Sequence, residues 1–269
     1  MDFVFQRSYR GPLKAAILDW AGTTVDYGCF APANVFIEGF KKQGIEITIE
    51  QARGPMGMHK KDHIRAITQM QDVKKQWQTA HGRQPGEDDV EAIFRDFVPL
   101  QIQTLSHHAE LIPGTLETVN EMRSRGMKIG TTTGYIQEMM DVVIPQAAKQ
   151  GYKPDANCNG SHVQQGRPAP WMCFLNAIEL NLYPMEAYVK AGDTVQDILE
   201  GLNAGMWTVG LAVSGNEMGM HADEIQTADP HLVAQKKKAA YDKLQQAGAH
   251  YVIDQIGDLP PVLDHIQER

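Results

Sequence analysis

The apolar positions of this 269-residue chain fall into short runs that stop abruptly at polar groups. Ala15-Ala16-Ile17-Leu18 ends at Asp19, followed by Trp20-Ala21-Gly22-Thr23-Thr24. Met127-Lys128-Ile129-Gly130 ends in Thr131-Thr132-Thr133-Gly134, and Ala187-Tyr188-Val189-Lys190-Ala191-Gly192 ends at Asp193-Thr194. Buried parallel strands read this way, and functional groups gather just past their carboxyl ends. The runs 207–213 and 249–253 supply two further strands. Between the strands the period turns helical over about 115–126, 136–150, 170–182, 195–204 and 229–247, with Gly126, Gly151 and Gly205 placed as C-caps. This alternation predicts an α/β fold with a doubly wound, Rossmann-like parallel-sheet core.

One interval is too long for a single crossover helix. About a hundred residues separate Asp19 from Thr133. Residues 32–104 read as mostly helical, broken by the turn Gly82–Asp89, and Ile112-Pro113-Gly114-Thr115 marks a return to the core. The expected organisation is a core domain of residues 1–28 and 105–269 with an inserted helical cap domain over 29–104.

Composition narrows the class. Hydrophobic residues at 42% and charged residues at 22% exclude a disordered or fibrous chain. A net charge of −8 argues against a general nucleic-acid or anionic-membrane binder, since both need basic faces. Cys29, Cys158 and Cys173 are far apart and form no CxxC pair, so neither a disulfide framework nor a zinc site is expected. The first residues, MDFVFQRSYRGPLK, lack the apolar stretch of a signal peptide, and nothing approaches the ~18 apolar residues of a membrane span. A cytoplasmic protein is expected.

A parallel sheet brings Asp19, Thr133 and Asp193 to one edge. Any one of these carboxylates alone reads as a helix N-cap; two together need compensation, which a hard divalent cation such as Mg²⁺ supplies. The cation would also neutralise a phosphoryl group presented to Asp19 as nucleophile.

Four ordered segments then resemble the motifs of the haloacid dehalogenase superfamily: Asp19 in DWAGTTVD, Thr133 in TTTGY, Arg167 in GRPAPW, and Asp193 to Asp197 in GDTVQD. The resemblance implies an aspartyl-phosphate on Asp19 and Mg²⁺ held by Asp19, the Ala21 carbonyl and Asp193. Thr194 and Asp197 would support that site from behind. Phosphatases and phosphomutases of the superfamily carry DxDxT, whose second Asp protonates a leaving oxygen; here that position is Ala21. General acid catalysis contributes about 10²–10⁴-fold, so an oxygen leaving group is disfavoured.

The stretch Arg53-Gly54-Pro55-Met56-Gly57-Met58-His59-Lys60-Lys61-Asp62-His63, with DWAGTTVDYGCFAP and GYKPD, resembles the phosphonatase branch, the phosphonoacetaldehyde hydrolases. That resemblance implies cleavage of a carbon–phosphorus bond in 2-aminoethylphosphonate degradation, with Lys60 as the Schiff-base lysine. It also implies a homodimer joined through cap helices, with stretches such as that around Trp77 as candidate contacts. Read without it, Lys60 is one of two adjacent solvated lysines, and Lys61 is its rival. Thr133, Gly134 and Arg167 are expected to bind the phosphonyl oxygens, and His63 to orient or exchange protons with the imine. Cys29, Met56 and Tyr135 are candidates for the pocket lining, with plain packing as the competing role; His59 has no assigned role. The rival functions are a Mg²⁺-dependent phosphatase or phosphomutase of the same superfamily, and a binding protein that has lost catalysis.

Overall fold

Alternate residues of the first strand go to opposite sides of the sheet. In the computed structural model, which describes residues 9–269, Ala16 and Leu18 join the large core running through Phe36, Ile129, Val189 and Val209. Ala15 and Ile17 pack instead with Cys173, Tyr188, Ala204 and Met206. A strand apolar on both faces must be covered on both, as in a doubly wound fold. The N-terminal residues 1–8 read above for a leader lie outside the described residues.

The chain runs β1 (Ala15–Leu18), then helices α1 (Phe30–Lys42), α2 (Ile49–Arg53), α3 (Lys60–Thr68), α4 (Gln71–His81) and α5 (Glu87–Leu105). There follow α6 (Thr115–Ser124), β2 (Lys128–Thr133), α7 (Gln137–Lys149), β3 (Ala156–Asn159), α8 (Trp171–Leu180), β4 (Tyr188–Gly192) and α9 (Val195–Asn203). The chain closes with β5 (Trp207–Leu211), α10 (Ala222–Thr227), α11 (Pro230–Gln246), β6 (Tyr251–Ile253) and α12 (Leu259–Gln267). The strands form one parallel sheet in the order β3-β2-β1-β4-β5-β6.

β1 is flanked by β2 on one side and β4 on the other, with Leu18 registered against both Thr131 and Ala191. The strand order reverses there, and in open α/β sheets that crevice is where ligands bind. Asp19, Thr133 and Asp193 all leave strands at this edge.

Two expectations need correction. The sheet has a sixth strand, β3, whose sequence Ala156-Asn157-Cys158-Asn159 carries no apolar run. It lies at the sheet edge, where Asn157 Oδ1 accepts a bond from Thr131 Oγ1 at 2.9 Å, and an edge strand need not be apolar on both faces. Trp77 is not a surface contact: its side chain is 1% exposed within the helical segment. The helix stops behave as read, for Gly126, Gly151 and Gly205 follow α6, α7 and α9 with φ of +80°, +100° and +77°.

Helices α1–α5 occupy the chain between Asp19 and β2. The segments leading into and out of them run side by side: Val25 bridges Leu111, and the Asp26 N–H donates to the Glu110 carbonyl at 3.2 Å. Among the described residues no helix is long and apolar enough to cross a membrane.

Candidate active site

Asp19 continues β1, its N–H donating to the Ala191 carbonyl of β4 at 3.0 Å. The turn after it folds tightly against Asp193: Gly22 has φ +83°, and a Cβ there would collide with the Asp193 carboxylate. Thr23 Oγ1 donates to Asp193 Oδ1 at 3.3 Å, and the Asn216 N–H donates to Asp193 Oδ2 at 2.7 Å.

Asp19, Asp193 and Asp197 are all buried and offer carboxylate oxygens within 4.8 Å of one another. Their environments differ. Asp197 Oδ1 receives Lys190 Nζ at 2.6 Å and Arg167 Nη1 at 3.0 Å, while Oδ2 receives the Thr194 hydroxyl at 2.6 Å. Burial alone would raise its pKa, but Arg167 and Lys190 outweigh that and hold it below the usual carboxylate range. Burial raises Asp193 well above that range, and the charges of Asp19 and Asp197 add to the effect. Asp19 is raised by burial and Asp197, with Arg167 and Lys190 partly offsetting. Asp193 is thus a buried carboxylate held by an N–H and a hydroxyl, with another carboxylate beside it. Oxygen donors so arranged suit a hard divalent cation, and Asp19 with Asp193 would hold it.

Arg167 binds four residues at once. Nη2 contacts Asp19 Oδ1 at 2.7 Å and the Thr132 carbonyl at 2.7 Å, Nη1 contacts Asp197, and Nε contacts Glu200 Oε2 at 2.9 Å. Glu200 also accepts from Thr132 Oγ1 at 2.8 Å, and among the described residues its Oε1 has no hydrogen-bond partner. The planar fork fits this geometry in a way a point charge would not. Lys190 and Glu200 are missing from the sequence-based site. The available signals were a lysine inside an otherwise apolar strand and a carboxylate three residues beyond Asp197 on α9.

Above this edge lies a small cavity lined by Asp19, Ala21, Lys60, Thr133, Gly134 and Arg167, together with Cys29, Met56, Tyr135 and Thr194. Residues predicted from five separate segments thus meet around one space. Thr133 Oγ1 accepts the Tyr135 N–H at 3.2 Å, leaving its own proton to be given elsewhere. The segment 54–59 lies directly on the core: a Cβ at Gly134 would strike the Met58 carbonyl, and one at Gly57 would strike Thr194 Oγ1.

Lys60 opens α3 and is 2% exposed. Its Nζ stands 4.8 Å from the Tyr135 ring centroid and 5.5 Å from that of Phe36. Burial lowers its pKa to about 8, with Cys29 and Asp19 opposing the fall and Arg167 adding to it. His59 caps α3, its Nδ1 accepting the Lys61 N–H at 3.3 Å. His63 does not line the cavity. It is buried behind Lys60, with Nε2–H donating to the Ala52 carbonyl at 2.8 Å and its ring 3.8 Å from that of Phe36. Burial, and next the charge of Lys60, lower its pKa well below the ordinary histidine value.

Residues 13–205 match the family model of the haloacid dehalogenase-like hydrolases, which sets the class. A phosphonoacetaldehyde hydrolase of Syntrophobacter fumaroxidans is 47% identical over 266 residues, covering 99% of this chain and 96% of its own. One of Bacillus cereus is 45% identical over 257 residues, covering 96% and 97%. The crystal structure of a phosphonoacetaldehyde hydrolase-like protein from Oleispira antarctica superposes with a TM-score of 0.95 at 37% identity, over 100% of this chain and 98% of that one. The chain belongs to the phosphonoacetaldehyde hydrolase family of the haloacid dehalogenase-like hydrolases.

Proposed function

We propose that this chain hydrolyses the carbon–phosphorus bond of phosphonoacetaldehyde, giving acetaldehyde and phosphate. The observation that carries the reading is Lys60, buried with its pKa brought to about 8 in the same cavity as Asp19. Attack on phosphorus alone would expel a carbanion. Neutral Lys60 first adds to the aldehyde carbonyl; the adduct takes up a proton from solvent and loses water, giving a protonated imine. Asp19 then attacks phosphorus, and the carbon–phosphorus electron pair moves into the iminium to form an enamine. Water hydrolyses the aspartyl-phosphate. The enamine takes a proton on carbon, and a second water releases acetaldehyde and frees Lys60. No oxygen leaves phosphorus in the cleavage step, so no acid is needed there, in keeping with Ala21 on the cavity wall.

Mg²⁺, when bound by Asp19, Asp193 and the Ala21 carbonyl, would neutralise charge on the phosphonyl oxygens. Arg167 orients Asp19 and meets the same oxygens, with Thr133 and Gly134 as further donors. Thr194 and Asp197 hold the surroundings of the cation site in place. His63 acts from behind, fixing the Phe36 surface against which Lys60 rests. Residues 29–104 serve as a cap over the core of 1–28 and 105–269, in a cytoplasmic homodimer. The test is incubation with phosphonoacetaldehyde, with acetaldehyde and phosphate quantified together. Equal yields are expected; phosphate release from esters but not from the phosphonate would overturn the reading.

A further inference from the structure

Arg53, the last residue of α2, reaches across to the core. Its Nη1 donates to the Gly28 carbonyl at 2.8 Å, to the Asn216 carbonyl at 3.3 Å and to Asn216 Oδ1 at 3.2 Å. Asn216 Nδ2 returns a bond to the Arg53 carbonyl at 3.2 Å. The guanidinium also lies 4.9 Å from the Phe30 ring centroid. Asn216 itself is buried, and its backbone N–H is the donor that holds Asp193 Oδ2 at 2.7 Å. One residue in the loop after β5 is therefore gripped on one side by the inserted helices and on the other by the carboxylate assigned to the cation.

We propose that Arg53 is a positioning residue for the cation site. By pinning Asn216 it fixes the N–H that orients Asp193, so seating of segment 53–59 and cation affinity form one coupled equilibrium. The inference rests on the cation site of the proposed function. Oδ2 is tied by the Asn216 N–H at 2.7 Å, whereas Oδ1 accepts the longer bond from the Thr23 hydroxyl at 3.3 Å. Releasing the Asn216 loop would let the carboxylate turn, and outer contacts of this kind are typically worth 10–100-fold in metal affinity. Coupling is reciprocal: whatever Arg53 adds to cation binding, the cation adds to the seating of segment 53–59.

The experiment titrates Mn²⁺ into the full chain by electron paramagnetic resonance, alongside hydrogen exchange of residues 53–58. Wild type should bind one Mn²⁺, and Asp193→Asn none. Arg53→Met should bind about 10–100-fold more weakly, Asn216→Ala comparably, and the double variant no more weakly than the worse single one. Exposed Arg83→Met should match wild type. Mn²⁺ should slow exchange of 53–58 in wild type and not in Asn216→Ala. If wild type binds no Mn²⁺, or Asp193→Asn binds it normally, the cation site itself falls. If those two behave as expected but a folded Arg53→Met or Asn216→Ala binds within twofold of wild type, the positioning role falls alone.

Discussion

Lys60 and Lys61 are neighbours in sequence that face opposite media. Lys60 is buried against the rings of Phe36 and Tyr135, whereas the Lys61 side chain is 28% exposed and pairs with Glu91 and Glu87 of α5. Successive residues on a helix point about 100° apart, so the docking of α3 decides which amine meets the cavity. Borohydride added with substrate should therefore inactivate the enzyme irreversibly, with the alkyl group mapped by mass spectrometry to Lys60. Lys60→Arg should lose cleavage almost entirely, since guanidinium stays protonated, while Lys61→Arg should retain most of it. An adduct on Lys61 would refute the assignment.

The pH profile should show the same amine. A protonated lysine cannot add to the aldehyde, and burial sets the Lys60 pKa to about 8 rather than 10.5. The value of kcat/KM should rise roughly tenfold per pH unit below that pKa and level off above it. A plateau reached only above pH 10 would mean that Lys60 titrates as an ordinary solvated lysine.

Ala21 lines the cavity beside a cluster of carboxylates. Ala21→Asp should not speed phosphonate cleavage. The added charge should lower kcat/KM by about tenfold or more, a change of about 1.4 kcal/mol in barrier. A gain would mean that the missing acid is a defect of this site rather than part of its chemistry.

Gly134 lies directly against segment 54–59, where a Cβ would strike the Met58 carbonyl. Gly134→Ala should keep the Cα displaced from that carbonyl and hold Lys60 away from Asp19. Misplacement by about 1 Å is enough to cost 10²-fold. Turnover should fall by that order with the circular dichroism spectrum of a folded chain retained. Wild-type turnover would show that segment 54–59 need not seat for catalysis.

Lys190 and Asp197 form a fully buried pair at 2.6 Å. Breaking such a pair by removing one partner strands a charge and costs about 3–5 kcal/mol. Lys190→Met should show a loss of that size in urea denaturation. A loss under about 1 kcal/mol would mean that Arg167 alone satisfies Asp197.

The strands β1, β2 and β4 and the polar groups at their ends were legible because a parallel strand buried on both faces writes its burial locally, as an apolar run. β3 was not, because an edge strand with polar side chains carries no such mark. Asp19, Thr133, Arg167 and Asp193 are named from the sequence, but the burial and neighbouring charges that shift the two carboxylates are not. Arg167 and Asp19 stand 148 positions apart in sequence and 2.7 Å apart in space. Likewise Lys190 and Glu200 gained meaning only when β4 was laid beside β1 and α9 packed over it. Local pattern is a property of neighbouring residues, and the sequence by itself determines it: which segments are strands, which are helices, where they stop. Desolvation and Coulomb interaction depend on distance through the folded protein, so tertiary structure alone decided which lysine is buried, which carboxylate is paired and that His63 stands behind the cavity rather than in it.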